Sequence, residues 1–402
     1  MEHWVSSWGF LPLNFIGKPF TVSNETQRIY VRNNVRGTVV RLLFSNRSGK
    51  TPMALLRVTI AHADEDRRTH GHTEVTFDGT AGVTLQPGQE RYSDAIPFET
   101  RADSWLAIST YTKERQTWNC SCTTNNRTYT IAEDCEGGDF CDCELLEEQG
   151  ILHDPKIPGD IRDMKMYGFC QLDVLTAEDV RTIVCFGDSI THIGHWSGWL
   201  AKRLYAAYPG QVSLINRGIG GNRLLGGMEN PDHPKNLQGA AGIRRFRQDV
   251  FGQTKGADNP VHLVILLEGV NDLNHWRDAS EREVPVTCGR LQEAVRYCIR
   301  TSHAEGAKIV AATVLPTYDY AHAWRERTEG MRQAFNHWIR SGGEADDMLD
   351  FDRSVRDEAN PIAMLPLYDI GDHLHPSFEG GKKIAEDIDL EKIRKLAGGF
   401  HE

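Results

Sequence analysis

The chain has 402 residues, with 45 Lys and Arg against 56 Asp and Glu for a formal net charge of −11, and it is 40% hydrophobic and 25% charged. That composition is ordinary for a globular protein and excludes a mostly disordered chain. The acidic balance disfavours nucleic acid as a partner, because reading a phosphate backbone needs a basic footprint. The length exceeds what one hydrophobic core usually supports, so two domains are expected.

The opening MEHWVSSWGFLPLNF has an acid at position 2, no basic n-region and no long apolar run. No signal peptide is visible, so a cytoplasmic location is expected, with secretion left open should the native start lie upstream of Met1. From 1 to about 130, short runs such as RIYVRNNV, TVVRLLFSN, ALLRVTIAHA and SWLAISTYT alternate apolar with polar residues between Gly, Asn and Pro turns. This pattern predicts an antiparallel β-sandwich. It gives an accessory domain at 1–150, jelly-roll-like, with a Cys-rich loop at 120–143. The stretch 131–178, including HDPKIPGDIRD, reads as irregular, and 151–180 is taken as the connection between domains.

Five of the nine cysteines, Cys120, Cys122, Cys135, Cys141 and Cys143, fall inside that loop. Two C-x-C pairs flanking a single cysteine do not follow the usual zinc spacings, which favour C-x2-C. A structural metal, local disulfides and free thiols all remain open, and none of them makes the cluster catalytic.

From 181 onward, strands alternate with helices: TIVCF, a helix near 197–208, VSLIN, a Gly-rich turn, a helix near 239–251 and HLVILLEG. A long helix near 286–305, KIVAATVLP, a helix near 326–341, MLDF and a last helix near 378–397 complete the pattern. Near-continuous apolar strands between helices predict a parallel sheet covered on both faces, an α/β fold over 181–402. The longest apolar run, HLVILLEGV at 262–270, is strand-sized and falls short of the ~20 residues a membrane span requires, so no membrane partner is expected.

Sites in such sheets lie at the carboxyl ends of strands. There the sequence places Gly187-Asp188-Ser189, then NRGIGGN at 216–222, EGVND at 268–272, and DIGDHLHPS at 369–377 before the last helix. Taken singly, each residue has a structural reading. Ser189 would cap a helix, Gly221 and Asn271 would shape turns, and His375 would be a loop histidine.

Together, in this order and spacing, the four segments resemble the sequence blocks of the SGNH, or GDSL, hydrolase family of serine esterases. The resemblance implies a three-layer α/β/α, flavodoxin-like fold. It implies Ser189 as nucleophile, His375 as general base, and Asp372 as the carboxylate that orients the base. It also implies an oxyanion hole formed by the Ser189 and Gly221 backbone N–H groups and the Asn271 side-chain amide. One lost donor of that kind typically costs about 2.7 to 4 kcal/mol.

Competing motifs are weaker. GIGGN is not G-x-G-x-x-G, and the usual α/β-hydrolase elbow G-x-S-x-G is absent around Ser189, which suggests a flatter, more open turn. Asp372, His373 and His375, or HIGH at 192–195, could in principle bind a metal, yet neither has a carboxylate-rich ligand set in the linear sequence. No cofactor is therefore expected for catalysis. His192 with Trp196 or Trp199 reads either as core packing or as part of a substrate pocket.

The opening HWVSSWGF resembles, through Trp4, Trp8 and strand pattern, the sandwich that precedes the catalytic domain in some two-domain GDSL esterases. It would bind carbohydrate through aromatics or serve structurally. The expected activity is hydrolysis of short-chain acyl esters, acetyl foremost, on a carbohydrate or related small molecule. A lipase, arylesterase or thioesterase of the same family is the alternative within the enzyme class. A carbohydrate-binding protein with an inactive hydrolase domain is the alternative outside it. Oligomeric state is not legible.

Overall fold

A computed structural model describes residues 2–13, 19–122, 128–149, 166–226, 239–252, 260–274, 286–320, 324–342 and 344–400, with the backbone strand Ile151–His153. Most of HDPKIPGDIRD lies outside the described residues. The chain divides into two compact units. One runs to Val180 and includes Ala201–Ile215; the other holds Arg181–Leu200 and nearly all that follows Ile215.

The N-terminal unit contains two main antiparallel sheets. One orders His3–Gly9, Gly168–Thr176, Gly37–Ser45 and Glu90–Tyr92, with Ile96–Thr100 also paired to Gly37–Ser45. The other orders Ile151–His153, Thr130–Glu136, Glu25–Asn33, Ser104–Thr112, Arg57–Ala63 and Thr69–Glu74. Trp8 fills the core, stacked on Phe169 at 5.0 Å. Its indole N–H donates to Thr130 Oγ1 at 2.7 Å, so the polar end of a buried ring is satisfied. Trp8 is thus a packing residue. Trp4 is half-buried, and the Arg41 guanidinium lies 4.4 Å from its ring and 4.4 Å from that of Tyr92.

The stretch expected to be irregular, 131–178, contains two buried strands, Thr130–Glu136 and Gly168–Thr176. The second strand joins His3–Gly9 to Gly37–Ser45. It is hidden in the sequence because Gln171 and Asp173 interrupt its apolar pattern. Both are buried, and they are kept there by mutual bonding: Asp173 accepts from Gln171 at 2.8 Å, Ser6 at 3.0 Å and Arg41 at 3.0 Å. Buried polar groups persist when hydrogen-bonded.

The second region is a five-stranded sheet ordered Val212–Gly218, Arg181–Gly187, Val261–Leu267, Lys308–Ala312 and Asp347–Leu349. The last four strands pair in parallel. In chain order this is 2-1-3-4-5, the doubly wound arrangement whose crevice opens between the first and third strands. The strands at the centre of the sheet are largely apolar because both faces are covered, as in Val261–Leu267 with Leu263, Val264 and Ile265 fully buried. The expected last helix is two, Phe378–Asp387 and Leu390–Leu396. Asp389 breaks the run by capping the second, its carboxylate accepting from the N–H groups of Glu391 and Lys392. Among the described residues, no helix is long and apolar enough to cross a membrane.

Candidate active site

The strand Arg181–Gly187 ends on Gly187, and the four-residue helix Ser189–His192 follows. Asp188, not Ser189, is its N-cap: the Asp188 carboxylate accepts from the Ile190 N–H at 2.9 Å. Ser189 is the first helical residue and is nearly buried, which corrects the expectation of a flat, exposed turn. The hydroxyl is free for another partner. Ser189 Oγ lies 2.7 Å from His375 Nε2, and His375 Nδ1 lies 2.5 Å from Asp372 Oδ2.

The proton positions follow from chemistry. Burial pushes the Asp372 carboxyl up, but hydrogen bonds from the His375 ring and from the His375 and Leu374 backbone N–H groups outweigh it and hold it below the ordinary carboxylate range. An ionised Asp372 accepts only, so His375 Nδ1 carries the proton and Nε2 presents its lone pair to the Ser189 O–H. This is the tautomer needed to take a proton from serine.

The loop carrying His375 and Asp372 is fixed by its neighbours. Asp369 bridges to Pro376, and the Ile370 N–H donates to the His375 carbonyl at 3.2 Å. The buried His195 imidazole, kept neutral by desolvation, donates Nδ1–H to the Pro376 carbonyl at 3.0 Å. His373 turns away in a left-handed conformation (φ 62°) and pairs with Asp369 at 2.8 Å. Of the histidines in DHLH, His375 alone meets Ser189.

The segment from Asn216 to Asn222 packs directly on the turn that carries Ser189. Asn216 Nδ2 donates to the Thr191 carbonyl at 2.6 Å, the Ile219 N–H to the Gly187 carbonyl at 2.9 Å, and the Gly220 N–H to His192 Nδ1 at 2.9 Å. A Cβ at Gly218 would sit 2.3 Å from the His192 nitrogen, so only glycine permits this approach. Gly221 adopts φ 73°, a left-handed conformation that favours glycine. Asn271, in the helix Val270–Asn274, donates Nδ2–H to the Asn222 carbonyl at 3.0 Å. Asn271 and the residue directly after Gly221 are thereby bonded. His192 is resolved as a buried acceptor for the glycine loop, and Trp196 as core, packed on Phe351 at 5.0 Å.

Asp272 accepts from the N–H groups of Leu224 and Leu225 at 2.7 and 2.8 Å, and burial pushes its carboxyl up to about 6. Burial also raises Asp188, against the pull of the Ile190 N–H, and raises Glu268 well above the ordinary carboxylate value. Sequence reasoning missed Arg245 and gave no role to Glu268, while His195, weighed there as a metal ligand, is instead a buried hydrogen-bond donor to the Pro376 carbonyl. Arg245 sits in GIRRFRQ, where a run of cations looks like a solvated helix face.

All nine cysteines are free thiols. Among the described residues, no group of three or more His, Cys, Asp or Glu converges as a metal site.

The doubly wound α/β sheet holds, at the carboxyl edge of its first strand, a serine bonded to a histidine that is bonded in turn to an aspartate. Residues 185–383 match the model of the GDSL-like Lipase/Acylhydrolase family. Similar solved structures include an acylhydrolase from Bacteroides fragilis at 19% identity, covering 54% of this chain and 88% of that one with a TM-score of 0.37. An acetylxylan esterase from Geobacillus stearothermophilus, solved as a catalytic mutant, shares 17% identity over 55% of this chain and 95% of its own, TM-score 0.38. The acetyl xylan esterase AlAXEase shares 21% over 51% and 96%, TM-score 0.36. Among curated proteins, none matches the chain significantly.

Proposed function

We propose that the chain is a serine esterase whose catalytic domain is 181–402, preceded by an accessory sandwich that runs through the strand Gly168–Thr176. The observation that carries this reading is the relay Ser189–His375–Asp372, hydrogen-bonded in that order at 2.7 and 2.5 Å. Ser189 Oγ attacks the ester carbonyl while His375 Nε2 takes the hydroxyl proton. The carbonyl oxygen becomes an oxyanion facing the Ser189 and Gly221 N–H groups and the Asn271 amide. Collapse breaks the bond to the alcohol, which leaves with the proton from His375, and the acyl group stays on Ser189. Water, deprotonated by His375, then releases the acid and regenerates the serine. These steps use only backbone and side-chain groups of this chain, and water.

The substrate we propose is a short acyl ester, acetyl foremost, of a carbohydrate. Beyond the carboxyl end of the strand Lys308–Ala312 lie Tyr318, 41% exposed and edge-on to Trp324 at 5.0 Å, and Tyr320. The Tyr320 phenol is raised by burial and then by the charge of Asp372. Aromatic faces with polar rims suit a sugar ring.

Turnover of p-nitrophenyl acetate by the wild type and its loss in Ser189→Ala test the esterase reading. Absence of turnover on several acyl esters, or full activity in Ser189→Ala, refutes it. Mass spectrometry on acetylated oligosaccharides, scoring the exchange of acetyl for hydrogen, tests the carbohydrate assignment.

A further inference from the structure

Arg245, on the short helix Gly242–Arg247, is 6% exposed, and its guanidinium carbon lies 3.9 Å from the centre of the Phe186 ring. All three of its nitrogens are engaged. Nε donates to Asn222 Oδ1 at 2.9 Å. Nη1 donates to the Arg217 carbonyl at 3.0 Å and to Asp249 Oδ2 at 3.2 Å. Nη2 donates to the Gly187 carbonyl at 2.9 Å and to Glu268 Oε1 at 3.3 Å.

These partners are distributed in a particular way. Gly187 stands two residues before Ser189, Asn222 directly follows Gly221, and Glu268 stands three residues before Asn271. Each proposed oxyanion donor therefore sits next to one anchor point of a single planar group. Two further bonds close the ring: the Ile219 N–H to the Gly187 carbonyl at 2.9 Å, and Asn271 Nδ2 to the Asn222 carbonyl at 3.0 Å. Fixed donors stabilise a developing oxyanion because they need no reorganisation as charge appears, and small displacements of such groups carry large rate penalties.

We infer that Arg245 is the positioning residue of the oxyanion hole, tying three strand-end segments to one guanidinium so that the Ser189, Gly221 and Asn271 donors converge on one point. The inference rests on the serine-esterase reading. Lysine cannot take the role: it is a point charge without the fork that reaches several acceptors at fixed angles.

The test compares the full-length wild type, Arg245→Lys and Asn222→Ala. It measures kcat and KM for p-nitrophenyl acetate, and Ki for a phenylboronic acid, whose boron forms a tetrahedral adduct on the serine. The fraction of reactive sites is titrated with diethyl p-nitrophenyl phosphate. Arg245→Lys is expected to lower kcat per titrated site by about 100-fold with KM within about threefold, and to raise the boronate Ki by a similar factor. Asn222→Ala, which removes one anchor and leaves the arginine in place, is expected to give the same pattern at about tenfold, and it decides the matter if Arg245→Lys does not fold. A purely structural role would lower the titrated fraction and leave kcat per site and boronate Ki unchanged; that result overturns the inference. A wild type that neither turns over ester nor binds boronate overturns the esterase reading instead.

Discussion

Each region of the molecule buries an arginine that stitches backbone together, and the two do so differently. Arg28, in the sandwich strand Glu25–Asn33, is fully buried and donates to Ser109 at 2.8 Å, Thr69 at 3.2 Å, and the carbonyls of Phe140 and Cys141 at 3.1 and 3.3 Å, with Cys143 Sγ at 3.7 Å. It fastens one Cys-bearing loop to one sheet. Arg245 instead joins three separate strand ends and meets two carboxylates. A buried cation among neutral acceptors stabilises a local fold, whereas one that converges distant segments can organise chemistry.

The comparison is sharpened first by removing the chemistry itself. Ser189→Ala should lower kcat on p-nitrophenyl acetate by about 10⁶-fold, leaving only the residual rate of the binding groups. Asp372→Asn should lower kcat by about 10⁴-fold, because an amide no longer dictates that His375 Nδ1 holds the proton. Stopped-flow acylation measures both losses. Asn271→Ala removes one proposed oxyanion donor and should reduce kcat by about 10²- to 10³-fold with little change in KM.

Arg28→Met tests the other side. It strands buried hydroxyl and carbonyl acceptors, so stability should fall by about 2 to 4 kcal/mol in urea unfolding while kcat per titrated site stays at the wild-type value. A drop in kcat per site would erase the distinction between the two arginines.

The smallest effect concerns Asp272. Its folded carboxyl is raised to about 6, above an unfolded value of about 4. The folded state therefore holds its proton longer than the unfolded state. That contribution is fully present below about pH 4 and is lost as pH rises through 6. Asp272→Asn should remove this loss. The Tm of the variant, measured against wild type, should gain between pH 4 and pH 6, apart from a constant offset for the altered acceptors. A parallel pair of Tm curves would refute the titration.

Much of the site was legible because its residues sit beside short, local signals. Asp372 and His375 are three apart in one turn, Ser189 follows an apolar strand, and Asn271 follows another. What was not legible depended on distant partners. Asp188 and Ser189 are both capable caps, and only the backbone shows which side chain reaches the Ile190 N–H. The strand Gly168–Thr176 was hidden by Gln171 and Asp173, whose burial makes sense only once Ser6 and Arg41 are beside them. Arg245 was invisible for the same reason: its acceptors come from segments near 187, 222 and 268. The cysteines offered several chemistries in sequence, and the structure leaves them as thiols, Cys120, Cys122, Cys135 and Cys141 buried and Cys143 half-buried.

The cap supplied by Asp188 gives the neighbouring position an unusual freedom. Since the helix end is held by a carboxylate rather than by the serine hydroxyl, the reactive group can be exchanged without loosening the turn around it. Alanine at 189 should leave a folded, inert receptor in which an intact ester can be trapped and its alcohol identified by crystallography, and cysteine should leave a thiol there for capture of the acyl half.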